Sequence, residues 1–340
     1  MKEGSGKSKP TEWPRKKALN LKRIKNCPKI KKIDNFDKSW RNKVMEKRFK
    51  GVFAPLTTPF INGQIAADKL RDNIEKFNRT GLAGYIIMGS TGEAPFVDDE
   101  EAELLVREAT RAASPEKIVI AGTGRDSAEW TIKLTNRLAE AGAQAALIKP
   151  PYYYKSRMNY EALKAYYSEV ADRVKIPVIM YNIPQNTQIW LPLELVIELA
   201  KHQNIIGLKE SGGSLAYLSE VVSKVSADFH YFTGSASILY SALDMGACGA
   251  ILALANVAPE LCVKLYELFA AGKKEEAKEL QYKLIPLNRA LTETYGIAAV
   301  KYALDRRGYY GGPGRSPLLP LESKAQIEIN NYLTELNLLK

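Results

Sequence analysis

The sequence contains little cysteine and histidine, with three cysteines and two histidines in 340 residues. Cys27, Cys248 and Cys262 are not spaced as a disulfide framework or as metal ligands, which fits a reducing compartment. Because His202 and His230 are the only histidines, a zinc site or a two-histidine iron site is disfavoured. We therefore predict that the protein holds no metal.

Long apolar runs are also missing. No stretch reaches the roughly 18 apolar residues that a membrane-spanning helix needs, and the sequence shows no secretory signal. We expect a cytoplasmic protein without a membrane partner.

Acidic residues are scarce only at the N-terminus. Residues 1–50 hold 18 lysines and arginines against five acidic residues, whereas the remaining 290 residues hold 31 against 33. The net charge of +11 therefore belongs to a tail, and we expect residues 1–44 to form a disordered basic extension. Three alternatives stay open for it: a mitochondrial presequence directing the protein to the matrix, a nucleic-acid-binding arm, or a natural start at Met45. Because the rest of the chain is nearly neutral, nucleic acid is a disfavoured partner.

From residue 51 onward, short apolar runs alternate with stretches of helical periodicity. The runs are rich in β-branched and aromatic residues, which is typical of buried parallel strands. Eight β–α units predict a (β/α)8 TIM barrel over residues 45–257. A doubly wound sheet is disfavoured because no G-x-G-x-x-G follows the first run. The predicted strands are Val52–Leu56, Tyr85–Met88, Ile118–Ala121, Ala145–Ile148, Val178–Tyr181, Ile205–Lys209, Tyr231–Thr233 and Ala250–Leu254.

The pattern after the eighth run is helical. We predict helices over about 258–271 and 274–291, the first with Pro259 near its start and Gly272 just past its end. We assign residues 258–340 to a C-terminal helical appendage beyond the barrel's own eighth helix.

One predicted strand closes on a charged residue, Lys209. Burial penalises the charged form of a lysine and lowers its pKa, which makes a neutral amine available as the nucleophile of a Schiff-base enzyme. The alternative is a solvated ammonium at a strand end. In a TIM barrel the active site lies at the C-terminal ends of the strands, so a reactive lysine should have functional groups beside it there.

Other predicted strands do end in polar groups. The second is followed by Gly89-Ser90-Thr91-Gly92-Glu93, whose N–H groups and hydroxyls suit a small carboxylate. The fourth is followed by Pro150–Tyr154 and the fifth ends in Tyr181, which could exchange protons beside a neutral lysine. A helix-capping turn and buried aromatic packing are the structural alternatives. Together these groups predict an enzyme that forms an imine with a 2-keto acid to make or break a C–C bond.

These segments resemble the signatures of the dihydrodipicolinate synthase/N-acetylneuraminate lyase family of class I, pyruvate-dependent aldolases. The resemblance runs from about residue 50 to the C-terminus and includes Tyr181–Pro184, Gly207–Glu210, Gly249–Ile251 and Gly308–Pro313. It implies a carbon–carbon lyase that needs neither metal nor organic cofactor, because a covalent imine with the lysine is the electron sink.

The resemblance also implies roles for individual residues. Lys209 would form the imine, and Tyr181 would relay protons together with Thr91 and Tyr153. Ser90 and Thr91 would bind the pyruvate carboxylate. Tyr153 resembles a tyrosine that family members insert into a neighbouring subunit's site, which implies a homodimer or homotetramer.

Four further positions bear on substrate binding. Ile251 would line the pyruvate pocket through its backbone. Where dihydrodipicolinate synthases carry an arginine that grips the carboxylate of the second substrate, this chain has Asn186, and an amide cannot replace the guanidinium fork. The residues that look closer to the 4-hydroxy-2-oxoglutarate aldolase branch are Asn186, Lys209–Gly213, Ala253–Val257 and Gly308–Pro313. In that branch Ser211 and Gly212 would help to hold the distal group. A helix N-cap turn is the structural alternative for these two residues.

The substrates implied are a small 2-keto acid and an aldehyde. We expect cleavage of 4-hydroxy-2-oxoglutarate to pyruvate and glyoxylate. Dihydrodipicolinate synthase activity and cleavage of a 2-keto-3-deoxy sugar acid are the alternatives. A catalytically silent, ligand-binding barrel is a hypothesis from a different class.

Overall fold

The computed structural model describes Met1 and residues 49–339. Apart from Met1, the predicted basic extension lies outside the described residues. The strands in chain order are β1 (Gly51–Pro55), β2 (Phe60–Ile61), β3 (Gln64–Ile65), β4 (Gly84–Ile87), β5 (Ile118–Gly122), β6 (Ala145–Ile148), β7 (Val178–Asn182), β8 (Ile205–Glu210), β9 (His230–Thr233) and β10 (Gly249–Ile251). The pair β2–β3 forms a hairpin. The other eight strands are parallel and close into a barrel in the order β1-β10-β9-β8-β7-β6-β5-β4, which confirms the predicted TIM barrel.

The barrel strands are buried on both faces, which explains their nearly continuous apolar sequences. Alternate residues such as Phe53, Ile86, Leu147 and Phe232 fill the barrel interior as one small cluster. Their neighbours along the strands pack outward against the helices in a second, much larger cluster. A side chain's place in this alternation therefore decides whether it faces the interior.

Helices follow the barrel strands and form the outer layer. Several begin at polar caps that accept backbone N–H groups; Asp98, for example, accepts from Glu101 N in a capping box. No helix in the described part of the chain is long and apolar enough to cross a membrane. The cytoplasmic location stays a prediction. The helices are Ala67–Phe77, Asp99–Ala112, Ala128–Glu140, Tyr160–Arg173, Pro184–Thr187, Leu193–Leu199, Leu215–Val222, Leu239–Asp244, Pro259–Ala270, Lys274–Arg289, Ile297–Arg306 and Ser323–Glu335.

The last barrel strand is shorter than predicted. It ends at Ile251, and the chain turns into a short 3-10 segment, Ala253–Asn256, across the end of β1. A side-chain contact stabilises this turn, since Asn256 Nδ2 donates to the carbonyl of Pro55 at 2.9 Å. The predicted division at residues 257/258 stays a prediction, although helix Pro259–Ala270 packs against β1 of the barrel.

Two cations anchor the C-terminal segment to the barrel. Lys301 is 1% exposed and its Nζ lies 2.6 Å from Glu93 Oε1, at the C-terminal end of the barrel. Arg315 makes a bidentate pair with Glu101, with both N–O distances 2.6 Å. These contacts hold the final helices over the strand ends that carry the predicted site.

Candidate active site

Lys209 and Tyr181 lie side by side inside the barrel. They are register partners on the neighbouring parallel strands β8 and β7, so both side chains point to the same face. Lys209 is 4% exposed and Tyr181 is 5% exposed. The Nζ of Lys209 lies 4.3 Å from the centroid of the Tyr181 ring. The structure thus brings together the predicted nucleophile and the predicted proton carrier.

The turn after β4 brings a hydroxyl to Tyr181. Ser90 Oγ lies 3.5 Å from the hydroxyl of Tyr181, and either atom could be the donor. Thr91 occupies the same turn and is partly exposed. Within residues 49–339, Thr91 forms no side-chain hydrogen bond to Tyr181 or Tyr153, so the relay among these three groups stays a prediction.

Tyr153 lies outside this arrangement in a single chain. It is 75% exposed, and its ring meets that of Tyr154 edge-on with centroids 5.0 Å apart. Asp126 Oδ1 fixes the backbone here by accepting from the N–H groups of Tyr152 at 2.6 Å and Tyr153 at 2.9 Å. A large exposed ring on a held backbone is what insertion into a second subunit needs, but that role stays a prediction.

A cavity of about 270 Å³ opens above Tyr181 at the C-terminal end of the barrel. Three predicted residues line it: Ser90, Tyr181 and Asn186. Lys209 is buried beside Tyr181 and does not itself line it. The cavity walls are mostly apolar, and the polar or charged members not predicted from sequence are Glu93, Arg125, Lys149, Tyr152 and Thr187.

The other predicted residues lie elsewhere. Ile251 is fully buried inside the barrel on β10 and does not line the cavity. Ser211 and Gly212 line a different cavity, of about 690 Å³, together with Gln185. Gln185 Nε2 donates to the carbonyl of Ser211 at 2.9 Å, which joins this turn to the segment carrying Asn186. The structure therefore does not place Ser211 and Gly212 in the cavity above Tyr181, and their role stays a prediction.

Glu210, next to Lys209, has a structural role that the sequence did not reveal. Its carboxylate is 1% exposed and accepts from the backbone N–H groups of Gly212 and, at 3.0 Å, Gly213. Burial raises the pKa of Glu210, and these hydrogen bonds oppose that shift. The carboxylate therefore fixes the turn that follows the lysine strand, and it faces away from the barrel interior.

Glu93 ends the turn that carries Ser90 and Thr91. It has a left-handed backbone conformation, with φ +56°, and its carboxylate is 1% exposed. One oxygen pairs with Lys301, and the other accepts from the backbone N–H of Arg315 at 2.8 Å. The C-terminal segment thus holds the turn that forms one wall of the cavity, where Ile297 and Leu318 also contribute.

Lys149 is the functional candidate that the sequence reasoning missed. It directly follows β6 and lines the cavity. Its Nζ lies 4.2 Å from the centroid of the Tyr152 ring. Burial lowers the pKa of Lys149 to about 8, Arg125 adds to this shift, and Asp126 opposes it. The signal was present in the sequence, because Lys149 closes a buried apolar run just as Lys209 does.

The sequence is similar to a known protein family and to characterised members of it. The sequence model of the dihydrodipicolinate synthetase family matches residues 48–336. A 4-hydroxy-tetrahydrodipicolinate synthase of Methanothrix thermoacetophila is 34% identical over 292 residues, covering 85% of this chain and 97% of the relative. One of Exiguobacterium sp. is 33% identical over 290 residues, covering 85% of this chain and 98% of the relative.

Solved structures agree with these relatives. The dihydrodipicolinate synthase of Thermotoga maritima superimposes with a TM-score of 0.82 at 30% identity, covering 86% of this chain and all of the other. YagE, a prophage protein of the same family from E. coli K12, was solved in complex with pyruvate. It matches with a TM-score of 0.80 at 28% identity, covering 85% of this chain and 99% of YagE.

Proposed function

This chain belongs to the dihydrodipicolinate synthetase family and is a carbon–carbon lyase of the pyruvate-dependent aldolase type, and we propose that Lys209 is its imine-forming amine. The observation that supports this role is the buried Nζ of Lys209, 4.3 Å from the Tyr181 ring at the active end of the barrel. The relative YagE was solved with pyruvate, the 2-keto acid that this role requires.

In the proposed reaction, the Nζ of Lys209 attacks C2 of pyruvate, and loss of water gives an imine. Removal of a proton from C3 then gives an enamine, whose electron pair attacks the carbonyl carbon of the aldehyde and forms the C3–C4 bond. Hydrolysis of the imine releases the 2-keto acid product, and cleavage is the same sequence in reverse. Because the imine accepts the electron pair, the reaction needs neither metal nor organic cofactor.

The surrounding residues would orient pyruvate and move the protons. The hydroxyls of Ser90 and Thr91, with the N–H groups of their turn, would bind the pyruvate carboxylate, and the backbone of Ile251 would line the pocket. The hydroxyl of Tyr181, 3.5 Å from Ser90 Oγ, would carry the proton to and from the reacting atoms. In a homodimer or homotetramer, Tyr153 of a neighbouring subunit would complete the relay.

The named relatives support one activity in particular. Both curated relatives described above are 4-hydroxy-tetrahydrodipicolinate synthases, so condensation of pyruvate with aspartate semialdehyde is the first candidate reaction. These relatives give no support to the predicted 4-hydroxy-2-oxoglutarate aldolase branch. One observation keeps that activity as the second candidate: exposed Asn186 lines the cavity, and the resemblance described above implies an arginine at this position in the synthases.

Trapping of the imine tests the role of Lys209. The protein is incubated with pyruvate, reduced with borohydride and weighed intact, and we expect one adduct per chain that disappears in Lys209→Ala. Lys149→Met is the matched control, because Lys149 lines the same cavity and burial lowers its pKa. An adduct that survives Lys209→Ala and disappears in Lys149→Met would show that Lys149, and not Lys209, forms the imine. The absence of any adduct in the unmodified protein would contradict the imine mechanism.

Steady-state kinetics then separate the two candidate reactions. With pyruvate saturating, kcat/KM is measured for aspartate semialdehyde and for glyoxylate. A higher value for aspartate semialdehyde supports the synthase, whereas a higher value for glyoxylate supports the aldolase. An imine adduct without turnover of either aldehyde would instead support the catalytically silent barrel.

A further inference from the structure

Lys149 faces the cavity because of its place in the barrel alternation. Leu147, two residues earlier on β6, belongs to the interior cluster, so Lys149 continues the same face at the mouth of the barrel. Gly124 packs against it from the neighbouring strand end. A Cβ at Gly124 would lie 2.9 Å from the backbone nitrogen of Lys149 and 3.0 Å from its Cγ. Only glycine leaves the lysine room to lie there.

The charges that line the cavity do not cancel. Glu93 is paired with Lys301 at 2.6 Å, and Arg125 is paired with Asp99 at 3.0 Å. Lys149 forms no ion pair within 4.0 Å among residues 49–339, and its Nζ lies 4.2 Å from the centroid of the Tyr152 ring. The cavity therefore presents one cation whose charge no protein group in direct contact neutralises.

Most of the acids near Lys149 lie on its outer side, away from the cavity above Tyr181. Asp126 is held by the N–H groups of Tyr152 and Tyr153 and lines the outer groove next to the cavity. Asp98, Asp99 and Glu100 line the same outer groove, where Arg125 and Arg137 pair with Asp99 and Glu100, and Lys149 also reaches this groove. The cavity side carries no acid except Glu93, which is already paired.

From this geometry we infer that Lys149 binds the carboxylate of the aldehyde substrate, so that the preferred aldehyde is an anion. This inference rests on the proposed function and narrows it to aldehydes that carry a carboxylate. Lysine binds a carboxylate as a point charge, whereas arginine uses a bidentate fork. Lys149 thus supplies from β6 the cation that is missing at Asn186.

The inference separates the substrate classes. Glyoxylate and aspartate semialdehyde each carry a carboxylate in addition to the aldehyde carbonyl that reacts with the pyruvate enamine. The aldehyde released from a 2-keto-3-deoxy sugar acid is a neutral polyol and gains nothing from a cation at this position. The predicted sugar-acid alternative is therefore disfavoured.

The test compares two aldehydes of nearly the same size, glyoxylate and neutral glycolaldehyde, each with saturating pyruvate. In Lys149→Met we expect the ratio of KM for glyoxylate to KM for glycolaldehyde to rise about 10- to 100-fold, the range of one charged hydrogen bond. Lys149→Arg, which keeps the charge, should recover most of that ratio. A ratio that does not change, or KM values that rise equally for both aldehydes, would overturn the inference.

The pH profile gives a second measurement that a purely structural role would not change. Because the pKa of Lys149 is about 8, its charge is lost as the pH rises through that value, and KM for glyoxylate should rise with it. The groups that face Lys149 are Arg125, Asp126 and Tyr152, with Glu93 also lining the cavity. KM for glycolaldehyde should stay level, and a profile that is the same for both aldehydes would also overturn the inference.

Failure of this inference can be told apart from failure of the imine mechanism. Borohydride trapping with pyruvate alone reports on Lys209 and uses no aldehyde. If Lys149→Met does not fold, Lys149→Gln provides the same comparison. If the pyruvate adduct forms but the KM ratio does not change, carboxylate binding by Lys149 is contradicted and the imine mechanism stands. If the unmodified protein forms no adduct, imine formation by Lys209 is contradicted.

Discussion

The buried ion pair between Glu93 and Lys301 gives the sharpest test of how this active site is supported. We consider Glu93→Gln, which keeps the shape of the side chain and removes its charge. Both groups are 1% exposed, and their charged atoms lie 2.6 Å apart. Lys301 Nζ also donates to the carbonyls of Thr58 at 2.9 Å and Pro313 at 2.6 Å. In the variant the ammonium would keep these acceptors but lose its counter-charge.

The expected loss of stability follows from that geometry. Removing one partner of a buried ion pair costs roughly 3–5 kcal/mol, because the remaining charge stays buried without compensation. At about 2–4 °C per kcal/mol for a domain of this size, the melting temperature should fall by about 6–20 °C. The pKa of Lys301 is already lowered by burial and should fall further in the variant, so deprotonation would recover part of the loss as the pH is raised.

Calorimetry on the intact protein measures the effect, and two further variants interpret it. Glu93→Gln combined with Lys301→Met should be less destabilised than the two single changes added together, because the double variant leaves no unpaired charge. Glu129→Gln is the matched control. Glu129 pairs with Arg173 and Lys133 on the surface, and its side chain is half exposed. The melting temperature of the Glu129→Gln protein should therefore stay near that of the unmodified protein. Additive single changes, or a Glu93→Gln protein that melts within 2 °C of the unmodified protein, would refute the reasoning.

Two further predictions concern catalysis. Tyr181→Phe should lower kcat by about 10²- to 10⁴-fold through loss of a proton carrier, while pyruvate can still be trapped on Lys209. Steady-state kinetics measure the first effect, and the intact mass after borohydride reduction measures the second. An unchanged kcat would show that Tyr181 carries no proton in the reaction. Tyr153→Ala and Lys209→Ala should each be inactive alone, but mixing them under subunit exchange should restore activity if Tyr153 acts across an interface. If activity does not recover once exchange is shown by mass, each site is built from a single chain.

Most of the fold could be predicted from sequence because of how a parallel barrel is buried. Strands covered on both faces read as continuous apolar runs, and all eight were found with ends within three residues. The hairpin β2–β3 was missed because its strands are two residues long and show no periodicity. Its signal was Asn62-Gly63, a pair suited to the positive φ angles of 50° and 76° that the turn requires.

The candidate site was predicted unevenly, for a physical reason. Lys209 and Tyr181 end neighbouring parallel strands, and residues at such positions must meet at one edge of the barrel. Lys149 was missed because it falls one residue after the predicted strand Ala145–Ile148, although the alternation with inward-facing Leu147 places it on the cavity side. Lys301 could not be identified, since its partner Glu93 lies more than 200 residues earlier and only the folded chain brings them together.

The dependence of the cavity on the C-terminal segment has a consequence for how the protein is made. When the eighth strand leaves the ribosome, Glu93 has no counter-ion and the cavity lacks the walls supplied by Ile297 and Leu318. Catalytic competence is thus tied to the completion of translation. A chain ended by a premature stop before Lys301 would carry an uncompensated carboxylate in its barrel, and we expect it to be less stable than the full-length chain.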